Sequence, residues 1–169
     1  MKDSLKPFAS TPAFLRRTVL LCILLSISVS AASGFTVLVN EGNSAQSLSL
    51  NELKDIFQGE RTFWGKDQKI HLVVGPKGTP ERSFCLSQIY GQTESKFKRH
   101  WIGKIFRGEA VVAPKEIPAT ESLYAYLKER RGAIAIVPSD QVDAASLEGL
   151  KVLKIDDKTP ADPGYPLTN

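Results

Sequence analysis

The sequence predicts an α/β domain, a three-layer αβα sandwich around a mostly parallel mixed sheet. Three observations carry that expectation. Strand-like and helix-like segments alternate along the chain. Ala133-Ile-Ala-Ile-Val137 is an uncharged apolar run, the pattern of a strand buried on both faces. Ile70-His-Leu-Val-Val74 passes through Gly75-Pro-Lys-Gly-Thr79 into a helix-like run, and in open α/β sheets such loops at the carboxyl ends of strands hold ligands.

The elements follow in order. Phe35-Thr-Val-Leu-Val39 is β-rich and ends at the polar loop Asn40–Ser44. Ser49 caps a helix from Leu50 to Phe57, with Glu52 at the capping-box position and Gly59 as terminator. Leu50, Leu53, Ile56 and Phe57 are spaced as one apolar face. After a loop containing Phe63-Trp64-Gly65 comes the strand 70–74. The next helix has Thr79 as N-cap and Pro80 at its first position, and stops at Gly91. Thr93 caps another, with Phe97, Trp101, Ile102 and Ile105 on an apolar face. Lys96, Lys98, Arg99, Lys104 and Arg107 read as its solvated side, not as a nucleic-acid surface. Thr120 caps a helix through Leu123, Tyr126 and Leu127. The strand 133–137, a short strand at Val152–Ile155 and an extended tail from about Asp157 complete the chain.

The first residues read as an export signal. Lys2, Lys6, Arg16 and Arg17 form a basic segment, and Thr18–Val29 is an uncharged apolar run. That run is about 12 residues, short of the roughly 20 that a membrane-spanning helix needs. Ser30-Ala-Ala-Ser-Gly34 supplies small residues for cleavage near Ala32. The expected organisation is therefore a signal peptide at 1–32 and a single domain at 33–169, placed in the periplasm and with no membrane contact after signal removal.

Cleavage changes the charge argument. The chain has 22 basic and 18 acidic residues, a net +4. Residues 1–32 hold four of the basic and one of the acidic residues, so 18 and 17 remain, a net +1. That balance gives no ground for nucleic-acid binding. It also leaves Cys85 as the one cysteine, which cannot form an internal disulfide; beside Phe84, Leu86 and Ile89 it reads as a buried, inert thiol. The 137 residues are enough to bury about two-thirds of their surface as one domain.

The candidate site is the loop Gly75–Arg82. A helix N-terminus presents unpaired N–H groups and the positive end of the helix dipole in one direction, which suits an anion. Lys77, Gly78, Thr79 and Arg82 are the candidate ligand residues. An ordinary strand–turn–helix connection has the same sequence signs. Nothing marks an enzyme: there is no Ser-His-Asp order, no HExxH, no CxxC and no Walker loop. No cofactor motif is present. Two histidines and scattered carboxylates make no metal site, and Asp156-Asp157 reads as a solvated turn.

Leu53-Lys-Asp-Ile-Phe-Gln-Gly59 with Trp64, Gly78-Thr79 before a helix, Trp101 with Ile105-Phe-Arg-Gly108, Gly132-Ala-Ile-Ala-Ile-Val-Pro138 and Gly164-Tyr-Pro-Leu167 stand in one order along the chain. In that order and spacing the chain resembles the periplasmic phosphate-binding proteins of ABC importers, and among them the short, stand-alone members. The resemblance covers about residues 35–168. It implies one lobe of a type II periplasmic-binding-protein fold, a solute-binding role and phosphate or another oxyanion as ligand. It also implies departures. Val73 stands where the family has an arginine, Lys77 where it has a serine, and the lobe that completes the cleft has no counterpart. Two functions follow as expectations. One is weak anion binding, alone, by self-association or with another subunit. The other is a periplasmic protein-interaction module that keeps the lobe fold and shows an exposed apolar patch.

Overall fold

The computed structural model describes residues 34–110, 112–143, 145 and 147–168. The expected signal segment, 1–32, lies outside the described residues.

The elements are β1 (Phe35–Asn40), β2 (Ser47–Leu48), α1 (Leu50–Phe57), β3 (Phe63–Trp64), β4 (Gln68–Lys69), β5 (His71–Val74), α2 (Pro80–Phe84), α3 (Glu94–Phe106), β6 (Lys115–Glu116), α4 (Glu121–Glu129), β7 (Ala133–Pro138) and β8 (Leu150–Ile155). A π-helical stretch, Cys85–Tyr90, continues α2. Six strands form one mixed sheet in the order β2-β8-β1-β7-β5-β6. The pairings β2–β8, β5–β6 and β5–β7 are parallel, and β1 runs antiparallel to both its neighbours. β3 and β4 form a separate hairpin.

Side-chain alternation in the strands builds the three layers. Phe35, Val37 and Val39 of β1, with Ile134 and Ile136 of β7, join α1, α2 and α3 in one core. Leu38 of β1, with Ala133, Ala135 and Val137 of β7, packs on Leu123 and Leu127 of α4 in the other. β7 is buried at every position because it lies between the two. Small alanines on the α4 side let that helix approach closely.

The helix ends form as the sequence predicts, with one exception. Ser49 and Glu52 make a reciprocal capping box on α1. The Thr79 and Thr93 hydroxyls accept from Arg82 and Lys96 N–H groups. Gly91, with φ 59°, ends the helical run in the left-handed conformation. Thr120 does not cap α4 through its side chain; its hydroxyl instead shares a 2.8 Å hydrogen bond with Ser122.

Two further expectations are corrected. Ile102 and Ile105 are exposed, and the inner face of α3 is Phe97, Trp101 and Lys104. The Lys104 ammonium is buried because it donates to the Gly59 carbonyl and pairs with Glu60 at 2.9 Å and Glu109 at 3.4 Å. The tail is not extended. It turns at Asp156-Asp157, both in the left-handed region, and again around Gly164, then buries Tyr165 and Leu167. Phe35 N–H donates to the Leu167 carbonyl at 2.8 Å, which ties the tail to β1.

Candidate functional site

β5, β6 and β7 run in one direction, so their carboxyl ends share one edge of the sheet. The Gly75–Thr79 turn leaves β5 at that edge, beside Glu116 at the end of β6 and Ser139 after β7. Ser139 Oγ lies 3.0 Å from the Thr36 hydroxyl of β1, which fixes the neighbouring rim.

The turn is built by its own sequence. Thr79 N–H donates to the Pro76 carbonyl at 3.2 Å, and the Thr79 hydroxyl donates to the same carbonyl at 2.9 Å. Gly78 sits at φ 91°, a conformation glycine adopts without strain, and open space surrounds it. Lys77 and Gly78 are exposed. Among the described residues, the N–H groups of Lys77, Gly78 and Glu81 have no protein acceptor. These three donors are what the turn offers an incoming anion.

Arg82 is placed differently from Lys77, Gly78 and Thr79. Its side chain turns inward and is almost completely buried. Its Nε and Nη2 donate to the two Glu94 oxygens at 3.1 and 2.7 Å, and Nη2 also lies 3.4 Å from Glu116. The guanidinium stacks on Phe97 at 4.1 Å. Nη1 has no hydrogen-bond partner among the described residues. Burial alone would lower the Arg82 pKa, but Glu94 and Glu116 hold it above the usual value. The hydrogen bond from Arg82 in turn holds the Glu94 carboxyl below the usual range. The turn therefore has positive charge behind it that two carboxylates largely neutralise.

Glu81 is the residue that the sequence reading passed over. Its side chain is buried against the turn, and a Cβ on Gly75 would meet Glu81 Oε1 and Thr79 Oγ1, each at 2.5 Å. The absence of a side chain at Gly75 makes that space. An acidic residue in the first helical turn was visible in the sequence, but its inward rotamer was not. Val73 is buried on the α4 side and offers nothing to a ligand.

No protein-family model and no curated protein matches the chain. Solved structures do. An ABC-type phosphate transport receptor from Vibrio cholerae matches at TM-score 0.57 and 18% identity, over 76% of this chain and 48% of its own. In fold, the chain resembles about half of a phosphate-transport binding protein. A Clostridium perfringens protein assigned as a phosphate ABC transporter substrate-binding protein, with bound phosphate, matches at TM-score 0.62 and 19% identity, over 81% and 53% of the two chains. PstS from Borrelia burgdorferi matches at TM-score 0.59 and 14% identity, over 76% and 49%. These likenesses establish the α/β lobe. The chain spans about half the length of the structures it matches.

Proposed function

We propose that the chain is an exported, non-enzymatic solute-binding protein that takes phosphate or a similar oxyanion weakly at the Lys77-Gly78-Thr79 turn. Cleavage of the signal at 1–32 would deliver the domain at 33–169 to the periplasm. The observation that carries the reading is the set of N–H groups of Lys77, Gly78 and Glu81, without an acceptor among the described residues, at the carboxyl edge of parallel strands. Lys77 adds an exposed charge, while the charge of Arg82 is taken up by Glu94 and Glu116. The solved structures it resembles are transport receptors and binding proteins, one of them holding phosphate.

Magnitudes set the expected affinity. Each exposed helix-terminus interaction contributes about 0.3–1 kcal/mol and is screened by salt. A handful of such terms supports millimolar binding at most, not micromolar. The buried Glu81 carboxylate opposes any anion at the turn and pulls the affinity lower. Titrating the full chain with phosphate at low salt, with sulfate as control, tests the reading. Amide shifts at Gly78 and Thr79 that saturate in the millimolar range are expected. Shifts that stay flat there would sink it.

A specific observation favours a second reading, a protein-interaction module. Ile102, Ile105 and Phe106 stand at i, i+3 and i+4 on α3 and are all exposed, Phe106 at 87%. Crosslinking in periplasmic extract should then capture one reproducible partner, and the capture should fail with Phe106→Asp.

A further inference from the structure

A cleft of about 510 Å³ opens at the other end of β5, by His71, where the strand begins. Val73 and Val74, roughly 7 Å of strand, separate its Leu72 wall from the Gly75–Thr79 turn. The volume lies within the range of small-molecule sites. Ile70, Leu72 and Trp101 are among its apolar lining, and Phe63, Val112 and Tyr126 line it as well. Phe63 and Val112 are exposed, at 45% and 69%. An exposed aromatic and an exposed β-branched residue beside an apolar hollow leave a sizeable dry surface without a partner.

The charges around this cleft are predominantly positive. Lys69, His71 and Lys115 line it, and a second, shallower cleft lined by Lys69, His71, Arg130 and Arg131, with Asp67 as its one carboxylate, adjoins it through Lys69 and His71. Lys115 Nζ lies 4.4 Å and the Arg130 guanidinium 4.7 Å from the Tyr126 ring, so both cations are carried on the cleft's aromatic wall. Among the described residues no carboxylate is ion-paired with Lys69, Lys115 or Arg130. The other charges of the larger cleft are already matched: Arg61 with Glu52, and Glu109 with Lys104 and Arg107. Partial burial first, then the positive charges of Arg130 and Lys69, lower the pKa of His71.

We propose that this cleft is a second ligand site that takes a small amphipathic carboxylate, with an alkyl or aryl body against Ile70, Leu72 and Trp101 and its carboxylate at Lys69 and Arg130. Charge complementarity selects this occupant. A neutral apolar molecule would leave three cations unpaired beside it, and an inorganic anion would leave the apolar lining wet. The body supplies most of the affinity through apolar burial, at about 25 cal/mol per Å². The carboxylate supplies orientation and discrimination, because a charge-assisted contact beside a dry wall is screened less than one in open water. The site is independent of the oxyanion turn and of the reading built on it.

Trp101 lies in the lining, so its fluorescence and the Lys69 and His71 NMR signals report occupancy of the full chain directly. The probe is 4-phenylbutyrate, with 4-phenylbutanol as its neutral counterpart. Saturable binding of the acid with Kd of about 1 mM or tighter is expected, and binding of the alcohol about tenfold weaker. The double variant K69Q/R130Q changes two exposed side chains and should weaken the acid about fivefold or more while leaving the alcohol unchanged. Inorganic phosphate at about 10 mM should not displace the acid. Equal affinity for acid and alcohol overturns the proposal, as does the absence of saturation. Shifts confined to Gly78 and Thr79, with displacement by phosphate, would also overturn it and assign the acid to the oxyanion turn instead.

Discussion

Arg82 and Glu94 form a two-pronged ion pair that fastens the start of α3 to the first turn of α2, with bonds of 3.1 and 2.7 Å. Both prongs are directed and the arginine is buried, so the pair behaves as a structural clamp beside the site and not as a free charge within it. Glu116 at 3.4 Å extends the clamp to the end of β6.

Removing the cation should therefore act on stability. Arg82→Met leaves Glu94 and Glu116 facing each other without a counter-charge. The expected loss is about 3 kcal/mol, read from the urea midpoint. The pH dependence has a fixed sign. The folded-state pKa of Glu94 is lowered, so its contribution is fully present above the unfolded value of about 4.3 and is lost as pH falls through the folded value. Wild-type stability should fall across that acid window, and Arg82→Met should flatten the slope. An unchanged slope would mean that the clamp does not couple to folding.

Glu81→Gln keeps the side chain's size and removes its charge. If the Glu81 carboxylate opposes anions at the turn, the variant should bind phosphate about three- to tenfold more tightly by NMR titration of Gly78. An affinity equal to wild type would show that this carboxylate does not reach the ligand.

Gly132 marks a closer constraint. Any Cβ there would collide with the Lys69 carbonyl oxygen, and the Gly132 carbonyl accepts from both Trp64 Nε1 at 3.0 Å and His71 N–H at 2.9 Å. Gly132→Ala must push the end of β4 at Lys69 away from the start of β7, which should cost about 3 kcal/mol or more and move the heat- or urea-induced exposure of Trp64, read as a red shift of its emission, to milder conditions. A variant of wild-type stability would contradict that packing.

Cys85 should be silent in the native protein. It is buried, and burial pushes its thiol up to about 12, so almost no thiolate exists at neutral pH. Ellman's reagent should label it only at the rate of global opening, and labelling should accelerate with denaturant in step with unfolding. Fast labelling in buffer alone would refute this.

The elements that were legible from sequence are those decided locally. The Ser49–Glu52 box, Thr79, Gly91 and Thr93 act within one helical turn, and the Ala133–Val137 run has no other stable place than between two layers. What sequence left open was decided by distant partners. Lys104 is spaced like a surface lysine, yet Gly59 and Glu60, far away in the chain, draw it inside. Ile102 and Ile105 carry the right period for a core face, but Trp101 and Lys104 take the inward positions. Of the candidate site, the turn at Lys77–Thr79 was readable. The inward course of Arg82 was not, because it depends on Glu94 and Phe97 across a helix junction. Glu81 escaped notice for the same reason, since only the folded turn shows that Gly75 makes room for it.

Gly34 and Thr168 face each other across an antiparallel bridge, so the polypeptide enters and leaves the lobe at one point. The two ends of the described lobe therefore lie side by side at a single seam. A short linker could join that seam, and a new opening could be cut at the exposed Gly65-Lys66-Asp67 turn, without disturbing any strand of the main sheet. The same geometry lets the lobe be set into a surface loop of another protein as a self-contained cassette.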